Sequence, residues 1–202
     1  MVKRIVLFSQ PSPKNIGELE KNIFVTDMEN KVVAYIPANG HLTKQIHTDY
    51  WSDMADRNKA EFVFVDNMQK GEEEKINRAN ILIISGGNTY ELLNNLKISG
   101  LDKAIINFAK KENFVLAGFS AGAIVMSPQI NIAGEPSGID PTDLMDENLV
   151  GLTDLTGLNI IDFEVWPHYY EEYDKERLDQ YQEKCPNKVM TLGDDEVKVV
   201  EI

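Results

Sequence analysis

Five short, unbroken apolar runs constrain this chain more than any other feature. They are Arg4–Ile5–Val6–Leu7–Phe8, Val32–Ile36, Phe62–Val65, Ile81–Ile84 and Phe114–Ala117. They do not alternate apolar with polar residues, as a half-exposed strand would. Continuous runs of this length belong to strands covered on both faces. Helical patterns lie between them. One runs from about His41 to Lys59. A second runs from Thr89 to Leu96, with Asn88 as its N-cap. A third runs from Leu101 to Lys111, with Ile105, Phe108 and Ala109 at helical spacing. Strand–helix–strand repetition requires right-handed crossovers and a mainly parallel sheet with helices on both sides. The expectation is an α/β fold, three-layer and doubly wound, in one domain over residues 1–202.

After about Gln129 the pattern changes. Prolines, glycines and acids crowd Gly134 to Asn148, which reads as a long loop or irregular excursion. A strand-like stretch follows at Ile160 to Val165, then a helix near Tyr170 to Tyr181. Two short β-like runs, Val189 to Leu192 and Val197 to Ile202, close the sequence.

Charge narrows the partners. The formal net charge is -13, and such a surface repels phosphate backbones and anionic headgroups. Nucleic acid and membrane surfaces are therefore not expected as partners. The single cysteine, Cys185, cannot form an internal disulfide or gather a metal site. It is expected to have no role, and no metal or other cofactor is expected. The N-terminal MVKRIVLFSQPSP has too short an apolar run for a signal peptide. The expected location is cytoplasmic.

Gly118–Phe119–Ser120–Ala121–Gly122 fits G-x-S-x-G, after a strand and before a helix-like run. That context gives the motif its meaning. The chain reverses sharply, with the serine at the apex and small residues letting the backbone pass. The hydroxyl is then exposed at the carboxyl edge of the sheet, where open α/β sheets keep their sites. Ser85–Gly86–Gly87–Asn88–Thr89 follows the preceding strand. The backbone N–H groups of Gly87 and Ala121 are the expected oxyanion hole. A phosphate-binding reading fails, since the glycines fit no nucleotide fingerprint and no P-loop lysine follows them.

A nucleophilic serine needs a base, and there are three histidines. His41 and His47 lie in or near one helix and read as surface or capping residues. His168 stands in Trp166–Pro167–His168–Tyr169, just after a strand-like stretch, and is the expected base. The third member should be a carboxylate. Glu135, Asp140, Asp143, Asp146, Glu147, Asp162 and Glu164 are all candidates, and composition does not choose among them.

Three blocks taken together, Gly86–Gly87–Asn88–Thr89, Gly118 to Ala123 and Pro167–His168–Tyr169, resemble the peptidase E (aspartyl dipeptidase) family of serine peptidases. They stand in the family's order. The resemblance implies a flavodoxin-like fold akin to class I glutamine amidotransferases, with serine in place of their cysteine. It implies Ser120 as nucleophile, His168 as base, and short peptides as substrates for a monomer or homodimer. Its acid falls at Glu135, where the family has aspartate. Pro136 supports this by biasing Glu135 toward extended backbone. Aspartate preference in the substrate does not carry over, because no Arg or Lys can be assigned to an anion pocket. The stretch after Tyr181 is short, so pocket parts supplied there in the family are expected to be missing. A catalytically silent amidotransferase-like binding or regulatory protein is the alternative. A flavodoxin-like module holding a nucleotide or flavin is a third reading.

Overall fold

The computed structural model describes residues 2–25, 29–42, 45–135 and 145–201. All five apolar runs are strands of one sheet. β1 (Lys3–Phe8), β2 (Val32–Ile36), β3 (Glu61–Phe64), β4 (Ile81–Ile84) and β5 (Phe114–Phe119) pair in parallel in the order β3-β2-β4-β5-β1. Successive side chains point to opposite faces, and both faces are covered. Val6, Phe8 and Ile83 pack with α1 (Ile16–Ile23) and α2 (Gln45–Arg57). Ile5, Leu7, Leu82 and Ile84 pack with α3 (Glu73–Arg78), α4 (Thr89–Ser99) and α5 (Leu101–Phe108) on the other side. The three-layer α/β architecture is as expected.

Details differ at the helices. The expected helix from His41 is a 3-10 turn at Gly40–Leu42 followed by α2, with residues 43 and 44 outside the described set. α4 begins where expected, and the Asn88 side chain accepts the N–H of Glu91. The short helices α1 and α3 have no counterpart in the sequence reading. Among the described residues no helix is long and apolar enough to cross a membrane.

The chain from Ala121 onward adds α6 (Ala121–Ile124), β6 (Phe163–Trp166), α7 (Glu171–Gln182), β7 (Lys188–Thr191) and β8 (Val197–Glu201). β6 and β7 form a separate two-stranded parallel sheet. β8 instead joins the main sheet, antiparallel to β1. Its register decides where the site forms. Phe8, at the end of β1, lies opposite Phe119 on one side and Val197 on the other. The residue after Phe119 is Ser120, and the residues before Val197 form the β7–β8 turn. Because β8 runs backwards, its start shares the carboxyl edge of the sheet with the ends of β1 and β5.

Candidate active site

Ser120 has φ 47° and ψ -118°, a backbone conformation that a side chain bearing Cβ rarely takes. Its N–H is held by Phe8 O at 3.1 Å. The glycine two residues on explains why the turn needs small neighbours. A Cβ on Gly122 would stand 2.1 Å from the carbonyl oxygen of Ile84, so α6 starts in direct contact with the end of β4. Gly87 has φ 141°, and a Cβ there would meet the Ala38 side chain at 2.5 Å. Ala121 is the first residue of α6, where an N–H has no acceptor within the helix.

His168 stands two residues after the end of β6 and also has positive φ, 56°. Its Nε2 lies 3.2 Å from Ser120 Oγ. Its Nδ1 lies 2.6 Å from Asp194 Oδ1. The His168 main-chain N–H donates to Ser9 Oγ at 2.9 Å, and Ser9 in turn donates to Leu192 O at 3.0 Å. Ser9 is fully buried, so its hydroxyl is a fixed link between the histidine loop and the β7–β8 connection.

Asp194 sits in that connection and is held on several sides. Tyr170 OH donates to Asp194 Oδ2 at 2.6 Å. The tyrosine hydroxyl is pushed above its ordinary pKa, first by this bond and then by burial, so it stays a donor. Next door, Asp195 accepts from Ser12 Oγ and pairs with Lys14 Nζ, both at 2.7 Å. The Lys14 and Ser12 bonds hold its carboxyl below the usual range. Glu196 accepts the N–H of Gly193 at 3.0 Å and closes the turn.

Serine, histidine and aspartate thus form one hydrogen-bonded line. The sequence model of peptidase family S51 matches residues 15–200. The chain belongs to that family. An uncharacterized peptidase of Pasteurella multocida (strain Pm70) is 24% identical over 192 residues, covering 88% of each chain. An uncharacterized peptidase of Listeria monocytogenes serovar 1/2a is 35% identical over 95 residues, which is 47% of this chain and 42% of that relative. The chain therefore aligns with less than half the length of the Listeria relative. The fold is shared with a crystallised candidate peptidase E from Listeria monocytogenes EGD-e, at TM-score 0.75 and 24% identity, covering 100% of this chain and 95% of that one. A peptidase from an acI-B1 Actinobacterium gives TM-score 0.69 at 19% identity, over 99% of this chain and 84% of that one.

In this S51 chain the structure brings Ser120 and His168 together and corrects the expected acid. Glu135 has the extended backbone that Pro136 implies, yet it does not bond to His168. Nδ1 already has Asp194 as its partner. Glu135 instead lines the cleft beside the nucleophile. The other candidates are elsewhere too. Glu164 is 1% exposed and accepts from Tyr181, Cys185 and Asn187. Asp162 and Glu147 are exposed. Asp140 and Asp143 lie outside the described residues. The two β-like runs around Gly193–Asp194–Asp195 mark a turn there, the one sequence signal near Asp194. A closing antiparallel strand begins at the carboxyl edge, so the turn before it lies beside the nucleophile.

Two clefts open on either side of Ser120 and His168, and Gly87 lines both. The first, about 330 Å³, is bounded by Ile124, Ile132, Ala133 and Trp166, with Glu135 and Asp146 among its lining. The second, about 420 Å³, is more apolar and includes Pro11, His47, Tyr50 and Phe119. His47 therefore belongs to the site's surroundings, which the sequence did not reveal. His41 does not: its Nδ1 pairs with Asp66 Oδ2 at 2.9 Å, beyond the end of β3. Among the described residues no group of His, Cys, Asp or Glu could hold a metal ion.

Proposed function

We propose that this chain is a serine peptidase that hydrolyses short peptides through Ser120, His168 and Asp194. The observation that carries the reading is the line of contacts from Asp194 Oδ1 through both ring nitrogens of His168 to Ser120 Oγ. Family membership supports the same chemistry. Ser120 Oγ attacks the scissile carbonyl carbon while His168 Nε2 takes the hydroxyl proton. Asp194 accepts from Nδ1–H, fixes the tautomer and stabilises the imidazolium that forms. The N–H groups of Gly87 and Ala121 receive the negative charge that develops on the carbonyl oxygen. The tetrahedral intermediate collapses, the C–N bond breaks, and His168 passes its proton to the departing amine. Water then attacks the acyl-serine with His168 again as base. Oγ leaves with a proton, and the carboxylic acid product is released.

The test is peptide hydrolysis with a Ser120→Ala control. The alanine variant should fold normally and lose about 10³-fold or more in kcat. A fluorophosphonate should label Ser120 in the parent protein. Failure to label, with no peptide cleaved, would mean a silent binding or regulatory protein instead.

A further inference from the structure

We infer that the cleft lined by Glu135 and Asp146 selects a lysine or arginine side chain next to the scissile bond. The inference rests on the peptidase reading above and names its substrate class. The cleft adjoins the nucleophile, since Ser120 and His168 are among its lining residues. Part of its lining is aliphatic and aromatic: Ile124, Ile132, Ala133 and Trp166. Two carboxylates join them, Glu135 and Asp146, and no lysine or arginine does. Apolar walls that also carry two carboxylates match a long apolar stem that ends in a cation.

The charge balance extends beyond the cleft. Between Lys111 and Lys175 the sequence holds no lysine or arginine. That stretch supplies the nucleophile, the histidine and most of the cleft wall. An anionic side chain entering there would meet like charge, with no lysine or arginine among the described lining residues.

Asp146 is held in position. Its Oδ2 accepts the N–H of Thr89 at 2.8 Å, and its own N–H donates to Ala133 O at 2.9 Å. The neighbouring Glu147 carbonyl accepts from the Asn88 side chain at 2.9 Å. Burial nevertheless pushes the Asp146 carboxyl above its ordinary range, against the pull of the Thr89 bonds. Its hydrogen bonds do not offset the loss of water, and an incoming cation would. A free α-ammonium carries charge without a stem and leaves the apolar walls uncovered.

The experiment compares peptides that differ only in lysine, arginine, norleucine or aspartate at each position flanking the cleaved bond, free and N-acetylated. The lysine or arginine peptide should exceed its norleucine counterpart in kcat/KM by about tenfold or more, the lower end for a close, desolvated charge pair. N-acetylation should leave that ratio standing. Glu135→Gln should pull the ratio toward one, and Glu135→Lys should favour the aspartate peptide. A structural defect would lower both rates together and leave the ratio unchanged. Equal cleavage of lysine and norleucine peptides overturns the inference. So does a preference for aspartate, or loss of cleavage on acetylation without side-chain preference, which would assign the cleft to an α-ammonium. In each of these cases the peptidase reading survives. No cleavage of any peptide and no labelling of Ser120 would end both.

Discussion

Asp194 Oδ1 stands 2.6 Å from His168 Nδ1, across a gap of 26 residues in sequence. The order along the chain is therefore serine, histidine, acid. Asp194→Asn keeps the side chain's size but presents the histidine with the wrong partner. The loss in kcat should be about 10³- to 10⁴-fold, as when a triad aspartate is made an amide. Circular dichroism and Tm should stay near the parent values. Activity close to the parent's would remove Asp194 from the machinery.

Tyr170 acts on that aspartate from its other oxygen. Without its hydroxyl the carboxylate keeps one fewer partner and is less firmly oriented. Tyr170→Phe should cost about tenfold in kcat, the low end for partners behind a reacting or ligating group. KM should move little, because Tyr170 is not among the residues lining either cleft. A KM effect alone would give Tyr170 a binding role.

The preference for lysine should itself depend on pH. Burial, first, and Glu91 raise the pKa of Asp146, while the Thr89 bonds and His168 lower it. The net position is above 3.8. Below that raised value the carboxyl is neutral and attracts no cation. The lysine-to-norleucine ratio of kcat/KM should therefore fall as pH drops through a midpoint above 3.8. Protonation of His168 removes the base for both substrates alike, and its charge reaches the ratio only through Asp146, whose pKa it lowers. A ratio that stays flat from neutral pH down through 3.8 would exclude Asp146 from recognition.

Glu164 is a buried carboxylate that depends on three donors: Tyr181 OH, Cys185 Sγ and Asn187 Nδ2. Tyr181→Phe leaves it short of one and should destabilise the protein by about 1–3 kcal/mol, read by urea unfolding. Burial and Glu164 also push the Cys185 thiol up. Alkylation needs the thiolate, so iodoacetamide at pH 8 should react faster with the unfolded chain than with the native one. Equal rates would contradict the thiol's place in this cluster.

How legible the fold and site were depended on how local each signal was. The parallel strands announce themselves as unbroken runs such as Ile81–Ile84, because both faces of each are covered. Ser120 is legible because the elbow is a local steric problem, solved by small neighbours such as Gly122. His168 was reached through elimination and resemblance. Asp194 was not, since nothing within ten residues of it marks a catalytic group. Its position follows from a pairing between the ends of the chain, β1 with β8, which periodicity does not encode. Glu135 misleads for the complementary reason, since the bond expected of it is made by Asp194. Its spacing from Ser120 and its extended backbone are local facts, and both hold. The choice of partner for His168 is a long-range one. The short helices α1 and α3 were missed because so few turns carry little periodic signal.

The pairing of β8 with β1 has a consequence for the order in which the protein becomes itself. Synthesis runs from β1 toward β8, so Phe8 is made well before Asp194 and Val197. The nucleophile's turn needs only β4, β5 and β1, all of which precede it or include it. A growing polypeptide can thus carry its serine in place while the carboxylate that would arm it has not yet been made. The final strand acts as a latch: when it closes the sheet, it also sets Asp194 behind the imidazole. On the peptidase reading, a copy whose β8 has not yet paired with β1 lacks the carboxylate behind its histidine.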